Sequence, residues 1–206
     1  MSRTAIAGTA FDRICEAIAK RGYAVDSEFL PTAVVTALAE DAWRRDAARE
    51  FRPASVGRGA ERTHSAAIRG DRIAWIDEIQ AMPVVRPWWA GIERLRIALN
   101  QCLYLGLFSF EGHYAIYPPS ASYRRHRDCF CDDAERILSC VLYLNASWNA
   151  SDGGALRIYL DGSMTRDILP IGGTLVCFLS DRFEHEVLPA TRERLALTGW
   201  FRRRGV

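Results

Sequence analysis

The sequence predicts an α+β fold in which helices come first and a β-rich second half closes into a sandwich or barrel. Three observations predict it. Apolar residues recur at helical spacing up to about residue 105. From Phe108 onward the texture changes to short β-type runs bounded by turn residues. A chain of 206 residues with 49% hydrophobic and 25% charged side chains can bury a core of its own, and its composition gives no case for disorder. We expect residues 1–206 to form a single domain, with helical support over about 1–105 and a β core over about 106–203.

Phe11, Ile14, Cys15 and Ile18 share one helical face and Gly22 follows as a stop, which predicts a first amphipathic helix. A second begins near Pro31, suited to a first helical position, and runs through Val34, Leu38 and Trp43. A third covers 88–103. Residues 52–82 are rich in Gly, Arg and Ser around the apolar piece Ile73-Ala74-Trp75-Ile76, which predicts loops around a strand or two. Strands are then expected at 114–117, 139–144, 156–160, 174–179, 186–188 and 195–201. Pro118-Pro119, Asp152-Gly153-Gly154, Asp161-Gly162 and Gly172-Gly173 punctuate them.

Several function classes are set aside by composition. Arg3, Asp12, Arg13 and Glu16 interrupt the N-terminal apolar residues, so no secretion signal is expected, and no segment has the run of about 18 apolar residues that a membrane span needs. The expected compartment is the cytoplasm, with no membrane partner. A net charge of +2 does not point to nucleic acid, and Arg202, Arg203 and Arg204 read as a solvated end. The six cysteines have no framework spacing and are expected to stay thiols; Cys129-x-Cys131 could begin a zinc site but lacks a second pair.

The chemistry concentrates in the β half. His126 and Asp128 stand two positions apart, and on a strand such residues point to the same face and can reach one ion. A distant histidine, His185, can complete a set of two imidazoles and one carboxylate. That set occupies one face of an octahedral iron(II) and leaves adjacent positions open, whereas zinc is usually closed by a fourth ligand. H-x-D alone is common by chance. Further on, alternation places Arg194, Ala196, Thr198 and Trp200 on one strand face. An arginine buried there needs a carboxylate, and its planar fork suits the far end of a dicarboxylic acid. A surface arginine in a run that also holds Arg192 fits the spacing equally well.

Longer motifs are more specific. H-x-D, then His, then R-x-x-x-T resembles the 2-oxoglutarate-dependent dioxygenases. Ile68-Arg69-Gly70-Asp71-Arg72-Ile73-Ala74-Trp75-Ile76, Tyr123-x-x-His126-x-Asp128, Leu142-Tyr143-Leu144-Asn145, Gly153-Gly154-Ala155-Leu156-Arg157-Ile158 and His185-Glu186-Val187-x-Pro189 resemble the prolyl hydroxylases that act on hypoxia-inducible factor. Over Tyr117-Pro118-Pro119 and Leu197-Thr198-Gly199-Trp200-Phe201 the sequence looks closer still to their bacterial relatives, which hydroxylate elongation factor Tu. The resemblance covers about residues 55–203.

It implies a double-stranded β-helix, a jelly-roll or cupin-like barrel braced by the N-terminal helices. It implies iron(II) on His126, Asp128 and His185, 2-oxoglutarate on Arg194 with Tyr117, Tyr143 and Thr198, and dioxygen as the other co-substrate. Arg69, Asp71 and Trp75 match a loop that closes over peptide substrate, and Arg136 and Trp200 match the mouth of the site. The implied reaction is C4 hydroxylation of a prolyl residue with formation of succinate and CO2, with elongation factor Tu as the partner to test and ascorbate use as a family trait. A carboxylate at Asp128 favours hydroxylation over halogenation. A hydroxylase of a free amino acid or other small metabolite is the alternative, and a non-catalytic iron- or oxygen-sensing module comes third. The turn between Tyr117 and His126 is one residue shorter than in the animal enzymes. A monomer is the default oligomeric state.

Overall fold

The computed structural model describes residues 9–55, 64–65, 67–78, 82–129 and 135–204. Helix α1 (Ala10–Arg21) begins where the Thr9 hydroxyl accepts from the Asp12 amide while the Asp12 carboxylate accepts from the Thr9 amide. It ends at Gly22, whose φ of 81° suits a residue without a side chain, as the sequence predicts. Helix α2 (Thr32–Ala47) starts one residue later than expected: Pro31, with an extended ψ of 143°, is its N-cap. Helix α3 (Arg86–Leu103) buries Trp88, Ile92, Leu95 and Leu99 at spacings of three and four along one face. Each such fully buried side chain stabilises the fold by roughly 1.5–3 kcal/mol.

Eleven strands are present among the described residues: β1 (Tyr23–Asp26), β2 (Arg52–Pro53), β3 (Arg72–Ile76), β4 (Ser109–Tyr117), β5 (Tyr123–His126), β6 (Arg136–Tyr143), β7 (Leu156–Tyr159), β8 (Thr165–Ile168), β9 (Leu175–Leu179), β10 (His185–Val187) and β11 (Arg194–Arg202). They form a seven-stranded sheet in the order β1-β9-β6-β11-β4-β3-β2 and a four-stranded sheet in the order β5-β10-β7-β8, antiparallel throughout. This is the arrangement of a double-stranded β-helix. Its two sheets share no ladder among the described residues, so the barrel is open.

All six β-type runs expected after Phe108 are strands, and Ile73-Ala74-Trp75-Ile76 lies in β3. Two strands had no clear signal. Four-residue β1 is placed by its partner β9 rather than by its own pattern. Strand β8 is a polar edge in which only Ile168 is buried, held to β7 partly by the Arg157–Asp167 ion pair. Residues before 105 thus contribute three strands to the large sheet as well as the helices.

The centre of the large sheet, strands β9, β6, β11 and β4, is buried on both faces. Tyr114, Ile116, Leu138, Cys140, Leu142, Leu175, Cys177, Leu195, Leu197 and Phe201 pack with the helices. The residues between them, Ala115, Tyr117, Val141, Tyr143, Val176, Phe178 and Ala196, turn the other way and pack with Leu156, Ile158 and Val187 of the small sheet. Buried Asp41 of α2 accepts the Tyr114 hydroxyl at 3.1 Å and pairs with Arg44 and Arg45, tying that helix to β4. At the centre of β11 a Cβ on Gly199 would overlap the Phe110 ring and the Glu111 carbonyl oxygen. Gly199→Ala is therefore expected to cost about 1–3 kcal/mol through overpacking, read as a lower melting temperature.

Candidate metal and co-substrate site

The cavity between the sheets is lined by Arg69, Asp71, His113, Ala115, Tyr117, Tyr123, His126, Asp128, Val141, Leu156, His185, Val187, Arg194, Thr198 and Trp200. At one side His126, Asp128 and His185 bring one donor atom each to within 4.8 Å of one another. Strand pairing sets the two histidines face to face, because His126 of β5 is the register partner of His185 of β10 and their ring centroids are 4.2 Å apart. Each Nε2 lies 3.6 Å from a different oxygen of Asp128.

Each imidazole is oriented from behind. His126 Nδ1 is 2.7 Å from the Arg124 carbonyl oxygen and His185 Nδ1 is 3.5 Å from that of Phe183. A carbonyl only accepts, so Nδ1 carries the proton and Nε2 keeps its lone pair for a cation. Tyr123 stacks on His126 at 3.5 Å between centroids, and Phe178 packs on His185 at 4.6 Å. Burial holds the His185 imidazole down to about 4, which keeps it neutral at physiological pH. Two neutral nitrogens and a carboxylate fit iron(II) well.

The strand geometry expected for His126 and Asp128 holds only in part. Strand β5 ends at His126, and Asp128 sits in the bend beyond it. Alternation along a strand therefore does not aim its carboxylate. A hydroxyl chain does, in which Ser139 Oγ of β6 donates to Asp128 Oδ2 at 2.7 Å and lies 2.9 Å from Ser180 Oγ. Burial alone would raise the Asp128 carboxyl, but the two imidazoles and the Ser139 hydroxyl outweigh it and hold it well below the usual carboxylate range. Neither serine is given a role by the sequence: Ser180 enters only within the Leu179-Ser180-Asp181-Arg182 motif of the resemblance, and Ser139, a small polar residue in an apolar strand, carries no local sign of its partner. Of the Cys129-x-Cys131 pair, Cys131 lies outside the described residues; the metal-type cluster among those described is the His-Asp-His set.

At the other side of the cavity Arg194 is 2% exposed, so the surface placement left open by its spacing does not occur. Its guanidinium carbon lies 5.2 Å from the Tyr117 ring and 5.0 Å from the Tyr143 ring. Register explains the first contact, because Arg194 of β11 is opposite Tyr117 of β4. Arg194 Nε donates to the Gly154 carbonyl at 2.9 Å. Gly154 has a φ of 69°, and a Cβ there would crowd Ala190 and Trp148, so the turn needs glycine. Arg194 Nη2 and the Tyr143 hydroxyl are buried without a hydrogen bond, and no carboxylate pairs with Arg194 among the described residues. A buried cation with an open fork and an unpartnered phenol beside it fit an incoming carboxylate. Thr198 and Trp200 follow on the same face, and Ala196 belongs to the inner core.

Of the residues expected at the mouth, Arg69, Asp71 and Trp200 line the cavity, while Trp75 and Arg136 do not line it and stand against His113 and Trp200. Arg69 binds Asp71 through two nitrogens at 2.7 and 2.9 Å and stands 4.8 Å over the Tyr123 ring. Trp75 is 52% exposed. Arg136 pairs with Glu111 and lies 3.7 Å over the Trp200 ring. Among them sits His113, which no local pattern marked. Its ring stacks on Trp200 and leans on Trp75.

The 2OG-Fe(II) oxygenase superfamily model matches residues 112–202. A Pseudomonas putida prolyl-4-hydroxylase structure is 48% identical, covering 95% of this chain and 100% of that one with a TM-score of 0.85. A Trichoplax adhaerens prolyl hydroxylase, solved with a hypoxia-inducible-factor oxygen degradation domain peptide, is 27% identical over 93% of this chain and 88% of that one, TM-score 0.83. The mouse Prolyl hydroxylase EGLN3 is 35% identical over 141 residues, 65% of this chain. The chain belongs to the 2-oxoglutarate- and Fe(II)-dependent oxygenase superfamily, whose members use iron(II), 2-oxoglutarate and dioxygen. It spans 20% of the length of the Caenorhabditis elegans relative and 59% of the mouse one. No helix among the described residues is long and apolar enough to cross a membrane.

Two outcomes follow from this geometry. Ser139→Ala should weaken Mn(II) or Co(II) binding about 10–100-fold by releasing Asp128, measured by titration of the metal-free protein. Burial also depresses His113, so the unfolded chain takes up protons on both histidines before the folded one does. Stability of the metal-free protein is then full above the unfolded histidine value of about 6.5 and falls as pH drops below it. His185 alone should account for about 2 kcal/mol between pH 7.5 and 5, read by urea unfolding at the two pH values.

Proposed function

We propose that this chain is an Fe(II)- and 2-oxoglutarate-dependent dioxygenase that hydroxylates a prolyl residue at C4 in a protein substrate, acting as one catalytic unit over residues 1–206. The observation that carries it is the pairing of a three-donor cation site with a buried arginine fork that has no carboxylate partner among the described residues, across one cavity, in a chain similar at 48% identity over 95% of its residues to a Pseudomonas putida prolyl-4-hydroxylase. Elongation factor Tu is the protein substrate we favour, on the sequence resemblance, and it would be met in the cytoplasm.

In this scheme His126, Asp128 and His185 hold iron by one face. Arg194, with the Tyr143 and Tyr117 phenols and Thr198 around it, fixes the far carboxylate of 2-oxoglutarate and so sets the orientation of the oxo-acid end toward the metal. When bound there, iron(II) with 2-oxoglutarate and dioxygen would supply the oxidising power, with one oxygen atom going to succinate alongside CO2 and the other to the prolyl C–H bond. Val141, Leu156 and Val187 give the same cavity apolar walls. Arg69, Asp71, Trp75, Arg136 and Trp200 frame the entrance through which a peptide reaches the metal.

Incubating the protein with iron(II), 2-oxoglutarate, ascorbate and oxygen, with and without elongation factor Tu, tests this directly. Succinate release and a one-oxygen mass gain on a proline-bearing peptide are expected. Asp128→Ala should abolish both, and Arg194→Ala should chiefly raise the KM for 2-oxoglutarate. Turnover stimulated only by a free amino acid would move the assignment to a small-molecule hydroxylase, and full activity in either variant would sink the site assignment.

A further inference from the structure

Buried polar atoms without a hydrogen bond mark two places at the cavity. Arg194 Nη2 and the Tyr143 hydroxyl form one, and its ligand class is already accounted for. The other is His113 Nδ1 with the neighbouring Trp200 Nε1, whose rings are stacked at 5.5 Å and 28°. His113 is 1% exposed, lines the cavity and leans against Trp75 at 4.9 Å.

The tautomer of His113 follows from its other nitrogen. Nε2 lies 3.5 Å from Arg69 Nη2, and a guanidinium can only donate, so Nε2 must accept. The proton is then on Nδ1, where it has no acceptor among the described residues. Protonating the ring fully is opposed first by burial and then by the Arg69 and Arg136 charges beside it. His113 is thus a neutral, buried N–H donor with nothing to donate to, and such a donor destabilises its surroundings until an acceptor arrives. Trp200 adds a second N–H of the same kind.

The class of acceptor follows from the cations. Only Arg69 and Arg194 line the cavity as cations among the described residues. Arg69 is committed to Asp71 through two hydrogen bonds, and Arg194 faces the opposite side between Tyr117 and Tyr143. Arg136, which stands beside the ring, is likewise committed, to Glu111, so among the described residues no uncommitted positive charge stands at the His113 end and the carboxylate of a free amino acid would be desolvated there without a counter-ion. A neutral carbonyl oxygen carries no such penalty.

We propose that His113 is a substrate-positioning residue whose Nδ1–H donates to a backbone carbonyl of the peptide bearing the target proline, and that this contact selects peptide-bound over free proline. It deepens the functional assignment above and rests on it. Because the ring is also wedged between Trp75 and Trp200, it sets the spacing of the two aromatic walls that the peptide must pass.

The tautomer is measurable without substrate. Long-range proton–nitrogen correlation spectra of the four imidazoles, with His113→Phe to identify the signal, should show a neutral Nδ1–H form at pH 7. A ring protonated at Nε2, or at both nitrogens, overturns the proposal. His113→Phe preserves an aromatic ring but removes the donor, so the KM for the prolyl protein substrate should rise about tenfold while that for 2-oxoglutarate stays within about twofold. His113→Asn, which can place an amide N–H where Nδ1 stands, should recover part of the loss. An unchanged protein KM in His113→Phe, or wild-type turnover of free L-proline as efficient as that of the protein, overturns the inference. A wild type that turns over neither protein nor proline overturns the functional assignment itself and takes this inference with it.

Discussion

A large sheet whose four central strands are buried on both faces divides each of those strands between two jobs. In β4, β6, β9 and β11 alternate residues pack against helices or turn into the space between the sheets. Because the side-chain period is two, a one-residue slip in any pairing would send Arg194, Thr198 and Trp200 into the helical core and Leu195 and Leu197 into the cavity. Neither face tolerates the exchange: one needs apolar volume and the other needs a charge. Register is therefore fixed from both sides, and so is the placement of each cavity residue relative to its cross-strand neighbours, Arg194 beside Tyr117 and Ala196 beside Tyr143.

The small sheet depends on this arrangement for its own purpose. Four short strands with charged outer faces would be marginal alone, but Leu156, Ile158 and Val187 pack on the inner face of the large sheet. That packing brings β5 and β10 together in the register that opposes His126 to His185. The cation site is then built across the gap, since both histidines come from the small sheet while Asp128 is held by Ser139 from the large one. An iron ion in such a place would tie the small sheet to the Asp128–Ser139 contact of the large one and so couple metal binding to the folded state.

The two unsatisfied ends of the cavity show how a binding site differs from a core. A buried guanidinium without a carboxylate and a buried imidazole N–H without an acceptor both oppose folding, and the surrounding apolar packing must offset them. Their retention is intelligible if partners arrive from outside. The two ends also differ in charge among the described residues: Arg194 has no carboxylate partner, whereas Arg69 and Arg136 beside His113 are paired with Asp71 and Glu111, a difference that the proposed function would use to sort an anionic co-substrate from an uncharged peptide.

Much of this was legible beforehand. Helical periodicity and Gly22 located α1, apolar runs between turn residues located six strands of the second half but not the polar β8, and H-x-D with a distant histidine named the three side chains that the structure gathers into a metal-type cluster. Alternation placed Arg194, Thr198 and Trp200 on one face, because strand geometry is local and survives in any fold. What the sequence left open depended on neighbours far away in the chain. Whether Arg194 is buried was decided by pairing with β4 and β6, and β1 exists because β9 offers it an edge. Asp128 lies past the end of its strand, so only the approach of Ser139 and Ser180 fixes its carboxylate. His113 gave no local sign at all: a lone histidine in an apolar strand becomes an uncommitted donor only once sheet pairing has set Arg69, Trp75 and Trp200 around it.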